Sequence, residues 1–492
     1  MKKNDIVRTT IVDMNSDGEG IGKVDGIPLF IKDTVIGDEV SVRVTKLKKN
    51  YGYGRLEEII SPSPDRIEAK CPIARACGGC QLQSMSYEKQ LEFKQGKVVN
   101  NLKRIGGLNV YAVDSSDEDV SRDVSSADAG NVAEAGNAEV TEFAREAKGI
   151  PVYPVLGMDN PWRYRNKAQL PVGKDADGKC VAGFYAGRTH HVIAQQDCLI
   201  ADERNQALVD RVLSFMDRHG IEPYDEETGK GLVRHILIRI GHDTGEIMVC
   251  LIINGRELPF ADELVEELKC VPDMTSISLN INTKRTNVIL GEKCINLYGN
   301  GYITDRIGDI TFRISPLSFF QVNPTQTEKL YETALKFADL SGDETVWDLY
   351  CGIGTISLFL ARKAKLVRGV EIIPQAIEDA KYNAALNGFT NTEFYVGKAE
   401  EVLPTIYKKE KCRADVIVVD PPRKGCDTAL LETIVKMQPD RVVYVSCDSA
   451  TLARDLKWFA ENGYETKCVQ PVDMFSQGVH VESVALVVQA VE

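Results

Sequence analysis

The chain has 492 residues, 43% hydrophobic and 27% charged, with a formal net charge of −13. That length holds three units, the larger two able to bury a core, and the charge excludes a protein that grips nucleic acid through a bulk excess of cations. With no amino-terminal signal segment and no apolar run long enough to span a bilayer, the 13 cysteines are expected in a reducing, cytoplasmic compartment where disulfides are rare.

Residues 1–62 open with short β-rich runs at Ile6–Val12, Gly20–Val24, Pro28–Ile31 and Glu39–Val44, separated by turns. Strands at that spacing predict a small five-stranded, OB-like β-barrel. The stretch Arg43–Arg55 holds five cations, Tyr51 and Tyr53, and no acid. Cations for phosphates and rings for bases suit single-stranded RNA; a solvated hairpin is the plain alternative.

Residues 63–314 are expected to form a central α+β domain. It begins with Cys71, Cys77 and Cys80 in a C-x5-C-x2-C pattern whose glycines let the backbone wrap closely. Three thiolates call for a fourth ligand, for which Cys180, in a Gly-Lys-Cys turn, is one alternative. Zinc and a [4Fe-4S] cluster both accept four cysteines, and spacing alone does not choose between them. Residues 111–148 hold ten acids against Arg122, Arg145 and Lys148, accounting for −7 of the −13, and read as an acidic insertion outside any core. Beyond it, Leu232–Ile240, Ile247–Ile253 and Ser276–Asn282 are expected as antiparallel strands of a central sheet, with Arg163, Arg165 and Lys167 as candidates to face RNA or as ordinary surface charge.

From Asp339 onward strand and helix alternate, predicting a Rossmann-like, doubly wound α/β catalytic domain over 315–492. Thr345–Leu349 runs into a turn with Gly352 and Gly354, followed by helical spacing; Leu366–Val370 ends at Glu371, where a carboxylate accepts from both ribose hydroxyls. With Asp420-Pro421-Pro422 after a later strand, the set fits S-adenosylmethionine better than a dinucleotide. Cys447 follows the apolar run Val442–Ser446, either as a nucleophile at a strand's exit or as a small hydrophobe at its end.

Ser-Phe-Phe-Gln-Val-Asn at 318–323, Asp-Pro-Pro-Arg-Lys-Gly at 420–425, Val-Ser-Cys-Asp at 445–448 and His-Val-Glu-Ser-Val-Ala-Leu at 480–486 together resemble, in order and spacing, the signatures of the RNA uracil-5-methyltransferase family. The amino-terminal barrel resembles the TRAM domain that precedes this catalytic unit in relatives. The resemblance implies a methyl transfer from S-adenosylmethionine to carbon 5 of a uridine. Carbon 5 is a poor nucleophile until a thiolate adds to carbon 6, the role of Cys447; the carbon 5 proton must then leave to a base, the role of Glu482. It further implies that Gln321 contacts the cofactor, that Tyr350 lies beside it, that Glu371 holds the ribose and that Asp420 closes the pocket. Phe319 or Phe320 would stack on the flipped base. Thr355 departs from the asparagine of some relatives.

The same resemblance selects Cys198 as the fourth ligand and the [4Fe-4S] cluster over zinc. It favours 23S ribosomal RNA as the target, with the transfer-RNA T-loop second; a monomer with no membrane contact is the default. Two competing classes explain less. A small-molecule methyltransferase leaves the thiol and barrel idle, and a non-catalytic RNA-binding protein has no use for the cofactor turn.

Overall fold

The computed structural model describes residues 1–114, 149–186, 189, 191–194, 197–410 and 414–490. Most of the acidic run expected at 111–148 lies outside the described residues.

Alternating apolar side chains build the first unit. Strands Ile6–Met14, Gly20–Val24, Ile27–Ile31, Glu39–Leu47 and Gly52–Ser61 close into a barrel in the order first, second, third, fifth, fourth. Ile11, Leu29, Ile31, Val40, Val42 and Val44 fill it. Gly54 lets the last strand cross Val42, since a Cβ there would lie 2.2 Å from its Cγ1. Phe30, Tyr51 and Tyr53 form a ring cluster with centroids 5.8–5.9 Å apart. Arg43 and Arg55 both bind Glu57, at 2.9 and 2.8 Å, so two of the five cations read from the sequence share one acid just beyond the stretch.

The second unit is a seven-stranded sheet ordered Val192–Ala194, Cys180–Tyr185, Lys167–Lys174, Val233–Ile240, Ile247–Ile253, Met274–Ile281, Lys293–Gly299. Its strands are not all antiparallel as expected: Ile247–Ile253 and Met274–Ile281 run parallel, because helix Ala261–Lys269 carries the chain across between them. Ile236, Ile238, Val249, Leu251, Ile277 and Leu279 face that helix and Arg204–His219 in one apolar core. The opposite face takes the alternate residues, among them Lys167 and Arg239, which pair directly across neighbouring antiparallel strands.

The third unit is a nine-stranded sheet. Thr392–Val396, Leu366–Glu371, Thr345–Leu349, Val416–Val419 and Arg441–Ser446 lie parallel in that order, followed by antiparallel Glu482–Gln489 and then Tyr464–Val472. Order reverses between Thr345–Leu349 and Val416–Val419, which opens a crevice at the carboxyl ends of those strands. Two short strands, Val110–Ala112 and Ile150–Val152, extend the far edge beside Tyr464–Val472. The central domain expected over 63–314 is therefore drawn differently. Tyr111 and Ala112 belong to a strand and not to the insertion, and the hairpin Ile303–Ile307 with Ile310–Ile314 packs into the catalytic core through Ile303, Ile307, Phe312 and Ile314.

Helix Tyr87–Arg104 lies along this unit and holds the loop before Glu482. Lys94 Nζ donates to Asp473 Oδ1 at 2.5 Å and to the Phe475 carbonyl at 2.9 Å, Lys97 donates to the Val479 carbonyl at 2.9 Å, and Gln90 and Gln477 bond reciprocally.

Candidate active site

The cofactor end is a strained strand-to-helix turn. Tyr350 adopts φ +71°, uncommon for a residue with a Cβ, and its amide and that of Cys351 both donate to the Val370 carbonyl, at 2.9 and 3.0 Å. Gly352 and Gly354, at φ +56° and +84°, complete the turn, and Gly354 begins helix Thr355–Ala361. Glu371, at the end of the next strand, accepts from the Gly352 amide at 3.2 Å and from the Ile373 amide at 2.9 Å, so its carboxylate spans the mouth of the turn. Thr355 gives its hydroxyl to a 2.9 Å bond with Tyr331.

The chemistry end is built by one antiparallel ladder. Ser446 pairs with Ser483 as the last pair of that ladder, Cys447 follows Ser446 and Glu482 precedes Ser483, and the Glu482 carboxyl acts on the Cys447 thiol. Two residues 35 positions apart in the chain are thereby brought to the same edge of the crevice. Asp448, next to the thiol, caps helix Ser449–Glu461 by accepting from the Ala450 and Thr451 amides at 2.8 and 3.1 Å.

Electrostatics tie this pair to the cofactor strands. Burial pushes Glu482 up to about 8, with Asp420 adding to the shift and Arg423 opposing it. Burial likewise raises Asp420 to about 7, helped by Asp348, and raises Asp348 to about 7 despite the Ser357 hydroxyl it accepts. The Cys447 thiol is raised to about 11 by burial, then by Glu482 and Asp420, against Arg423. Among the described residues, Arg423 is the cation that acts on both Cys447 and Glu482. Sequence reading passed over it although it stands three residues after Asp420 in the quoted Asp-Pro-Pro-Arg stretch.

Gln321 is buried in the loop before helix Pro324–Ala338, where its carbonyl accepts from Asn166 Nδ2 at 3.0 Å. Of the two stacking candidates, Phe320 is 1% exposed and packs on Phe312, whereas Phe319 is 66% exposed.

The four cysteines converge. Cys77 is raised by burial and by Cys198 and Cys71; Cys80 is raised to about 11 by burial and by Cys198, Cys77 and Cys71; Cys198 is raised by burial and by Cys71. Such mutual opposition to ionisation is what a set of thiols facing one centre produces. Among the described residues no three His, Cys, Asp or Glu side chains stand as a group that could hold a single metal ion. Cys180 is elsewhere, in the core of the seven-stranded sheet against Asp217 and Ile221, so it drops out as an alternative ligand.

A model of the tRNA (uracil-5-)-methyltransferase family matches residues 158–490, and a TRAM domain model matches residues 2–56. The chain belongs to the tRNA (uracil-5-)-methyltransferase family. Named RNA methyltransferases of Halalkalibacterium halodurans and Listeria innocua are 51% and 48% identical to it, each over 99% of this chain and over 97% and 98% of their own lengths. Among solved structures, a Pyrococcus abyssi tRNA (uracil-54, C5)-methyltransferase in complex with S-adenosyl-L-homocysteine superposes with a TM-score of 0.72 at 26% identity, covering 98% of this chain and 99% of that one. The protein is an S-adenosylmethionine-dependent RNA methyltransferase with an amino-terminal TRAM barrel. No helix among its described residues is long and apolar enough to cross a membrane.

Proposed function

We propose that this enzyme methylates carbon 5 of one class of uridine in RNA through a transient bond between Cys447 and carbon 6. The observation that supports the proposal is the ladder ending at Ser446 and Ser483, next to Cys447 and Glu482, with the Glu482 carboxyl acting on the Cys447 thiol. S-adenosylmethionine, held by Gln321, Tyr350, Glu371 and Asp420, supplies the electrophilic methyl group. Cys447 releases its proton to water and adds to carbon 6, which leaves carbon 5 with the electron pair that takes the methyl as the sulfonium S–CH3 bond breaks and S-adenosylhomocysteine departs. Glu482 then removes the carbon 5 proton; that electron pair re-forms the ring double bond and expels the Cys447 thiolate. A carboxyl group held near 8 can both take and return a proton around neutrality. Phe319 offers the exposed ring against which a flipped base stacks.

Cys71, Cys77, Cys80 and Cys198 would hold a [4Fe-4S] cluster, which braces the loop leading into helix Tyr87–Arg104. The mutual opposition to ionisation among these thiols supports one shared four-thiolate site, and the family resemblance favours the cluster over zinc there. The preferred target is 23S ribosomal RNA. The transfer-RNA T-loop is the second reading, favoured by the likeness to the Pyrococcus abyssi tRNA (uracil-54, C5)-methyltransferase. Mapping 5-methyluridine in ribosomal and transfer RNA from cells lacking this protein decides between them: loss at a 23S position supports the first, and loss at the T-loop replaces it with the second.

A further inference from the structure

Among the described residues, the face of the seven-stranded sheet opposite its apolar core carries Lys167 and Arg239 and no acid. Lys167 and Arg239 sit side by side across antiparallel strands, an arrangement of like charges that destabilises a sheet. Arg239 is 4% exposed; one guanidinium nitrogen donates to the Ser318 carbonyl, while its Nε finds no acceptor. The ionisable groups acting on Lys167 are Arg239 and Arg165, both cations, and the one acting on Arg239 is the Cys250 thiol. Burial drives the Lys167 ammonium down to about 8 and the Arg239 guanidinium to about 10. A buried and a half-buried cation side by side, with no acid acting on either, cost stability.

Their place in the fold says what would pair them. Arg239 is bonded to Ser318, the residue before exposed Phe319. Asn166, the residue before Lys167, donates its side chain to the Gln321 carbonyl at 3.0 Å and its amide to the Val322 carbonyl at 2.9 Å. The cation pair is therefore stitched to the loop that presents Phe319 and Gln321. Extruding a base swings its nucleotide about the backbone, so a phosphate beside that nucleotide must be held while the base turns. A phosphodiester offers oxygens to a guanidinium and an ammonium together.

We propose that Lys167 and Arg239, flanked by Arg165, form the seat of one RNA backbone phosphate next to the nucleotide at Phe319. The proposal rests on the RNA-methylation reading above but is tested apart from it. The full chain is given tritiated S-adenosylmethionine and total RNA from cells lacking the protein, and separately a fluorescein-labelled oligouridylate as a binding probe. Failure of the wild-type chain to label any RNA refutes the methylation reading; the seat is judged on oligouridylate binding alone. Lys167→Gln should weaken that binding by about ten- to a hundredfold. It should also flatten the dependence of log K on log salt by about 0.7, the value of one phosphate contact on a single strand. Lys167→Arg should restore both. Lys174→Gln, on the same strand but paired with Glu222 at 2.7 Å, should change neither. Because Lys167→Gln relieves a repulsion, its melting temperature should hold or rise. Unchanged affinity and slope in Lys167→Gln overturn the seat. So does an equal loss in Lys174→Gln, or a lowered melting temperature with an unchanged slope.

Discussion

Glu482→Gln separates catalysis from stability in opposite directions. In the fold the Glu482 carboxyl titrates at about 8 against 4.5 in an ordinary setting, chiefly through burial and then through Asp420. A carboxyl group whose folded value lies above its unfolded one favours the native state fully below 4.5, and that advantage is lost as pH rises through 8. Each unit of difference is worth about 1.4 kcal/mol, so the ionisable wild-type chain gives up roughly 3 to 5 kcal/mol between pH 4.5 and 8 at this position, as an upper limit. Glutamine, of nearly the same shape, does not ionise. The variant should melt with the wild type near pH 5 and at a higher temperature at pH 8 to 9, while turnover collapses for want of a base. Melting curves across pH, run beside methyl-transfer assays, check both halves. A variant that melts lower than wild type at every pH, or that still turns over, would refute the reasoning.

Four other outcomes follow from the same geometry. Phe319→Ala should raise the RNA concentration needed for half-maximal rate by about 5- to 100-fold, the worth of one stacked base, with the melting temperature unchanged; Phe320→Ala should instead cost about 3–5 kcal/mol of stability as a core deletion. Cys198→Ser should lower iron and sulfide content together and lower the melting temperature; a chain that contains zinc and no sulfide would refute the cluster. Lys94→Met leaves Asp473 charged and buried, at a cost of about 3–5 kcal/mol, and the double variant with Asp473→Leu should recover much of that in thermal melts. Wild-type turnover should climb from pH 6 to 9, since Glu482 must be ionised to accept the proton; a flat profile in single-turnover assays contradicts this assignment.

Much of the site was legible because its parts are local. The glycine turn, Glu371, Asp420 and Cys447 each end or follow a strand whose apolar run is visible in the chain, where a doubly wound sheet puts its chemistry, and Glu482 opens the apolar run of the antiparallel strand beside them. What could not be read is what depends on pairing. The register that pairs Ser446 with Ser483, next to Cys447 and Glu482, is a property of two strands together, and Lys94 and Asp473 are 379 residues apart. Phe319 and Phe320 are chemically alike in sequence, and only the loop's packing turns one to solvent and the other into the core. Strands Val110–Ala112 and Ile150–Val152 have three residues each, too few to show a period, and the acidic run between them draws the eye to an insertion. Ile247–Ile253 is apolar throughout, as a strand buried on both faces is, so its direction relative to Met274–Ile281 had to come from the helix between them.

The central claim is a covalent bond between one sulfur and one carbon, and fluorine can hold it in place. In RNA carrying 5-fluorouridine, the methylated adduct keeps fluorine where Glu482 would otherwise take a proton, so Cys447 cannot be expelled. Incubation with S-adenosylmethionine followed by digestion and mass spectrometry should find the peptide containing Cys447 bonded to a methylated fluorouridine, and none in Cys447→Ala. An adduct on another cysteine, or none on a wild-type chain that methylates ordinary RNA, would contradict the account.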